Sequence, residues 1–118
     1  MKVRTTISFV IFGIAFTASG CASYSSTSER PPLVDISSDK DPAKYLGCLE
    51  PAFVEIWPQA KTIRDGAASV VMVAVGSNVP VTVRIESEGD GSRVQYRQLH
   101  DLNFSNFKKA RNAVIACK

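Results

Sequence analysis

The side chains able to do chemistry are few: three cysteines (Cys21, Cys48 and Cys117), one histidine (His100, beside Asp101) and scattered serines and carboxylates. Nucleophilic catalysis needs a serine or thiol on a defined turn beside a base, and neither Ser92 nor Ser105 lies in such a motif. His100-Asp101 therefore reads as a polar pair at a strand end. Metal binding lacks ligands, with a single histidine and no zinc-type spacing. Asp35, Asp39 and Asp41 lack the glycine and distal glutamate of a calcium loop. Gly89-x-Gly91 joins two strand-like segments instead of opening a helix, so it is a turn and not a phosphate loop. No cofactor is implied, and the expectation is a protein that is not an enzyme. The thiols remain, and three is an odd number.

The first thiol ends a recognisable leader. Met1 to Arg4 is a short basic start, Ile7 to Phe16 is apolar and uncharged, and Thr17-Ala18-Ser19-Gly20 are small residues leading to Cys21. That order is the order of a secretory signal peptide. A transmembrane helix needs about 20 apolar residues, and this run is shorter. Ordinary secretory cleavage also fits, because Ala18-x-Gly20 satisfies the small-x-small rule at the same bond.

The stretch Thr17 to Cys21 resembles the lipobox of bacterial lipoprotein precursors, with Ala18 standing where lipoboxes most often carry leucine. The resemblance implies that the Cys21 thiol receives a diacylglycerol, that residues 1–20 are removed, and that the new amino group is acylated. Cysteine parity favours this over plain secretion: lipidation of Cys21 leaves Cys48 and Cys117 as a pair. In an exported protein that pair is expected to be a disulfide. A redox pair would use adjacent Cys-x-x-Cys spacing, which is absent here. Closing a loop of about 70 residues contributes on the order of 4 kcal/mol in the chain-entropy model.

Removing residues 1–20 from the 118 leaves 98, enough for one small domain. Lys2 and Arg4 leave with the leader, so the formal charge of +3 falls to +1. No cluster of lysine and arginine is interleaved with aromatics, so nucleic acid is not an expected partner. Residues 21–40 read as the lipidated cysteine and a Ser-rich tether with Pro31-Pro32, expected to be disordered. Its flexible reach is about 25 Å. Within it Leu33, Val34 and Ile36 fit either an edge strand or linker, and linker is the reading taken.

Residues 41–118 carry the expected domain. Asp41-Pro42 is a helix start, and Tyr45, Leu46 and Leu49 share an apolar face with Cys48 beside it. Pro51 is expected to interrupt that helix. Trp57, between Phe53 and Pro58, reads as core, with a ligand platform as the alternative. Asp65-Gly66 marks a turn, after which Val70 to Val75 reads as a buried strand. Val81, Val83 and Ile85 alternate with Thr82, Arg84 and Glu86 in a second strand. Asp90-Gly91 is the expected hairpin loop, pairing Ile85 with Tyr96, Val83 with Gln98 and Glu88 with Arg93. Phe104, Phe107, Ala110, Val114 and Cys117 recur at helical spacing behind a cap at Asn103 or Ser105. The expected fold is thus α+β: a small two-layer domain of helix, three-stranded antiparallel sheet and helix, closed by one disulfide.

Arg84, Glu86, Gln95, Arg93 and Arg97 fall on the outer, polar face of that hairpin. A mixed-sign face is ordinarily solvated, and Arg84, Glu86, Arg93 and Arg97 are the candidate binding surface if it is not. The layout of leader, lipobox, tether and compact domain with one disulfide resembles small outer-membrane lipoproteins of Gram-negative bacteria. Ala22 follows Cys21 where aspartate would imply retention at the inner membrane. The resemblance therefore implies an outer-membrane location facing the periplasm, held to the membrane through Cys21. The expected function is a non-enzymatic adaptor or scaffold for an envelope protein or assembly. The alternative is an inhibitor or immunity lipoprotein against a toxic hydrolase.

Overall fold

A computed structural model of the protein describes residues 22–99 and 104–118. The elements run α1 (Ala22–Ser28), β1 (Val34–Ser38), α2 (Pro42–Ile56), β2 (Lys61–Asp65), β3 (Ala68–Val75), β4 (Asn78–Glu88), β5 (Gly91–Gln98) and α3 (Ser105–Ala116). The class is α+β, with one antiparallel sheet in the order β1-β5-β4-β3-β2. The sheet has five strands where three were expected. The additions are its two edges.

β1 lies in the segment read as linker. Val34 faces Tyr96 and Ile36 faces Val94, so the alternation that looked marginal seats two apolar side chains on the core. Asp35, facing outward between them, accepts two hydrogen bonds from Arg93, at 3.0 and 2.9 Å. β2 has little apolar content, with only Ile63 half-buried, so composition could not announce it. It forms because the two-residue loop Gly66-Ala67 folds it back onto β3.

The β4–β5 hairpin turns one residue earlier than expected, which shifts its cross-strand pairing by two residues. Glu88 pairs with Gly91, so Gly89-Asp90 is the loop, and Gly89 alone has positive φ, at 58°. A glycine at the first loop position is the type II′ arrangement, which Asp-Gly read as type I′ had displaced. Val83 consequently faces Tyr96, Ile85 faces Val94, and Glu86 faces Arg93. A shift of two residues preserves the pleat, so every side chain stays on the face expected for it.

α2 begins as the sequence indicates, with the Asp41 side chain accepting from the Lys44 N–H at 2.9 Å and Pro42 in the first turn. Pro51 does not interrupt it. Pro51 and Gly47, the residue whose carbonyl loses its partner, are both on the exposed side. Water can serve that carbonyl, while Tyr45, Leu49 and Phe53 continue unbroken on the buried side. α3 starts at Ser105 behind Phe104, without a side-chain cap, and Asn103 lies outside the described residues.

α2 and α3 cover the inner face of the sheet. The core joins Tyr45, Leu49 and Phe53 of α2 with Val71, Val73, Val81, Val83, Ile85, Val94 and Tyr96 of the sheet and Ala110 and Val114 of α3. Trp57 packs on the edge of this core between Phe53 and Phe107, with ring centroids 5.9 and 5.6 Å away. The Tyr45 hydroxyl crosses to the Val114 carbonyl at 2.7 Å, tying the two helices together. Beside it Cys48 and Cys117 form the disulfide, with Cα atoms 5.7 Å apart across 69 residues. Such a cross-link is worth about 4 kcal/mol through the loop entropy it removes from the unfolded chain.

The opposite face is not bare. Val70 and Met72 point outward yet are buried, 1% and 8% exposed. α1 lies over that face and touches β4 and β5, with Thr27 fully buried and donating to the Val79 carbonyl. The first part of the segment expected to be a disordered tether is therefore ordered against the sheet. Serine-rich composition hid this: α1 has little apolar sequence, and the hydroxyls of Tyr24 and Thr27 bond it to the sheet.

Candidate functional site

α1 and the outer face of the sheet enclose a cleft of about 260 Å³ lined by Tyr24 and Ser28 on one side and by Asp65, Val70, Thr82, Arg84, Gln95 and Arg97 on the other. Each sheet residue owes its place to register. Val70, Arg84 and Gln95 are cross-strand neighbours in one row, and Thr82 and Arg97 pair in the next. Asp65 ends β2 and reaches the cleft from the side.

The charges in this cleft are unequally satisfied. Arg84 is held by two carboxylates: it donates to Asp65 at 2.9 Å and to Glu86. Those hydrogen bonds, the one to Glu86 foremost, keep its charge firmly in place by raising its pKa. The Tyr24 hydroxyl also donates to Asp65, at 3.1 Å, and burial raises its pKa above the ordinary tyrosine value. Arg97 differs. Its Nε donates to the Arg30 carbonyl at 2.8 Å and its Nη2 to the Gln95 amide oxygen at 3.2 Å, both neutral acceptors. Burial, and then the neighbouring charge of Arg84, lower its pKa from the usual guanidinium value.

Of the expected surface, Arg84 and Arg97 come together in the cleft and Glu86 joins through its bond to Arg84. Arg93 lies outside the cleft lining, fully committed to Asp35, whose carboxyl it holds below the ordinary value. The face is thus partly roofed and not simply solvated. Tyr24, Ser28 and Asp65 are cleft residues that sequence reasoning missed. One signal pointed to a covered outer face: Val70 to Val73 is apolar without alternation, as in strands buried on both sides. Nothing comparable identified Tyr24.

Cys21, His100 and Asp101 lie outside the described residues. Among the described residues no group of side chains could hold a metal ion, and no helix is long and apolar enough to cross a membrane. The lining is mixed in charge, two guanidiniums and the Asp65 carboxylate among hydroxyls and an amide, and Arg97 is the cation in it without a carboxylate partner. No protein-family model matches the chain, and neither curated proteins nor solved structures provide a match.

Proposed function

We propose that the chain is a lipid-anchored envelope protein of the outer membrane, facing the periplasm and acting as a non-enzymatic adaptor for another envelope component. The observation that carries the reading is the pairing of Cys48 with Cys117. That bond suits an oxidising compartment, and it leaves Cys21 as the remaining thiol of the three, directly behind a leader and small-residue stretch. An unused thiol in an exported protein needs a purpose, and transfer of a diacylglyceryl group to it supplies one. The adaptor role follows from what the domain offers: an ordered, partly charged surface and side chains suited to binding.

Growing cells with a radioactive fatty acid tests this reading. The wild-type protein is expected to take up the label, and Cys21→Ser to abolish it. An unlabelled wild-type protein would remove the anchor and with it the location. Capture from solubilised membranes then separates an adaptor, which brings down an assembly, from an inhibitor, which brings down a single hydrolase.

A further inference from the structure

The cleft beneath α1 holds a guanidinium that no carboxylate pairs with. Two arginines and one aspartate line it and Glu86 bonds to Arg84 beside it, so the charges match in number but not in pairing. Arg84 already meets both Asp65 and Glu86, so the open charge is that of Arg97. Among the described residues, Arg97 Nη1 makes no hydrogen bond, and no carboxylate pairs with this guanidinium. A guanidinium without a carboxylate partner and with a planar donor edge suits an oxyanion. The Tyr24 and Ser28 side chains form the opposite wall, and Val70 and Thr82 give a floor on which carbon atoms can rest.

The position of the cleft selects the source of that oxyanion. Tyr24 stands three residues after position 21, no more than about 10 Å of extended chain. If Cys21 carries the lipid, as proposed above, the cleft is held at the depth of the lipid headgroups. A headgroup phosphodiester has one negative charge at neutral pH. We propose that the cleft binds the phosphodiester of a membrane-lipid headgroup, with Arg97 making the charge-assisted hydrogen bonds and Tyr24 and Ser28 bounding the group. The outer face of the sheet then lies toward the membrane, and the α2–α3 face is turned to the periplasm for a partner.

This rests on the anchor reading for the source of the phosphate, but its chemistry is tested without it. The full chain, purified in a non-ionic detergent, is titrated with glycerophosphoglycerol, with inorganic phosphate and with N-acetylglutamate α-amide. Arginine Nε–H resonances report binding. The diester is expected to shift Arg97 and Arg84 saturably and to leave Arg64 unmoved. Arg97→Gln is expected to weaken binding by about tenfold or more, the loss typical of one charged hydrogen bond. Arg97→Lys, which keeps the charge without the planar edge, is expected to fall between, with an unchanged backbone amide spectrum. Tighter binding of inorganic phosphate would overturn the headgroup assignment in favour of free phosphate. Tighter binding of the carboxylate probe would overturn it in favour of an acidic protein group. No saturable shift with any probe would remove the site. A failed titration alongside a positive fatty-acid label refutes the cleft alone. Diester binding by a protein without lipid refutes the headgroup source.

Discussion

Gly91 lies so close to β1 that a methyl group on its Cα would collide with the carbonyl oxygen of Ser38. Ser38 is backbone and cannot swing aside, so Gly91→Ala must push β1 off its register with β5. The expected cost is about 1–3 kcal/mol, as for overpacking elsewhere, read as a lower urea midpoint with an unchanged slope. Two buried tyrosines give a second expectation at this scale. Burial pushes the hydroxyls of Tyr45 and Tyr96 well above the ordinary tyrosine pKa. A group whose folded pKa is raised contributes stability that is intact below its unfolded pKa, about 10, and is lost as pH rises further. Urea stability is therefore expected to hold to about pH 10 and to fall above it. The double variant Tyr45→Phe, Tyr96→Phe should flatten that fall, and an unchanged slope would show that other groups cause it.

The elements divide by how their residues meet the solvent. The first half of α2, α3 and the inner faces of β4 and β5 were legible because one apolar set recurs at a fixed period and has one place to go. The hairpin register was not, because Asp90-Gly91 and Gly89-Asp90 both supply a glycine and both keep the same faces. Only the loop geometry distinguishes them. Gly89→Ala is expected to cost about 1–2 kcal/mol, the penalty of a side chain at positive φ, as is the same change at Gly66 or Gly76. An unchanged melting temperature for Gly89→Ala would place the turn elsewhere. β2 and α1 were illegible for a different reason. Their residues are polar, and what orders them is a turn in one case and long-range hydroxyl contacts in the other. The cleft inherits this: its β4 and β5 wall could be read from alternation, its α1 wall and Asp65 could not. Thr27→Val tests the α1 contact, since it removes the donor to the buried Val79 carbonyl. Faster amide exchange in α1 with an otherwise unchanged sheet is the expected outcome; unaltered exchange would mean that this hydroxyl does not hold the helix.

At the scale of the whole molecule, the disulfide joins α2 to the end of α3 and so closes both helices over the sheet. Lys40 Nζ reinforces the same corner by donating to the Cys117 carbonyl at 2.8 Å, a cation placed at a helix C-terminus. Reduction is expected to lower stability by about 4 kcal/mol, with Cys48→Ala, Cys117→Ala and the double variant behaving alike. A double variant much worse than either single would mean that the cysteines contribute separately. Two of the three thiols close the domain, and the third, Cys21, is proposed to hold it to a membrane. Intact-mass analysis of the protein purified from membranes, alkylated with and without prior reduction, measures all three at once. The expected species begins at Cys21, carries a diacylglycerol and an amide-linked fatty acid, accepts no alkyl group before reduction and accepts two after it. A species in which Cys21 is alkylated, or is bound to Cys48 or Cys117, would contradict the account.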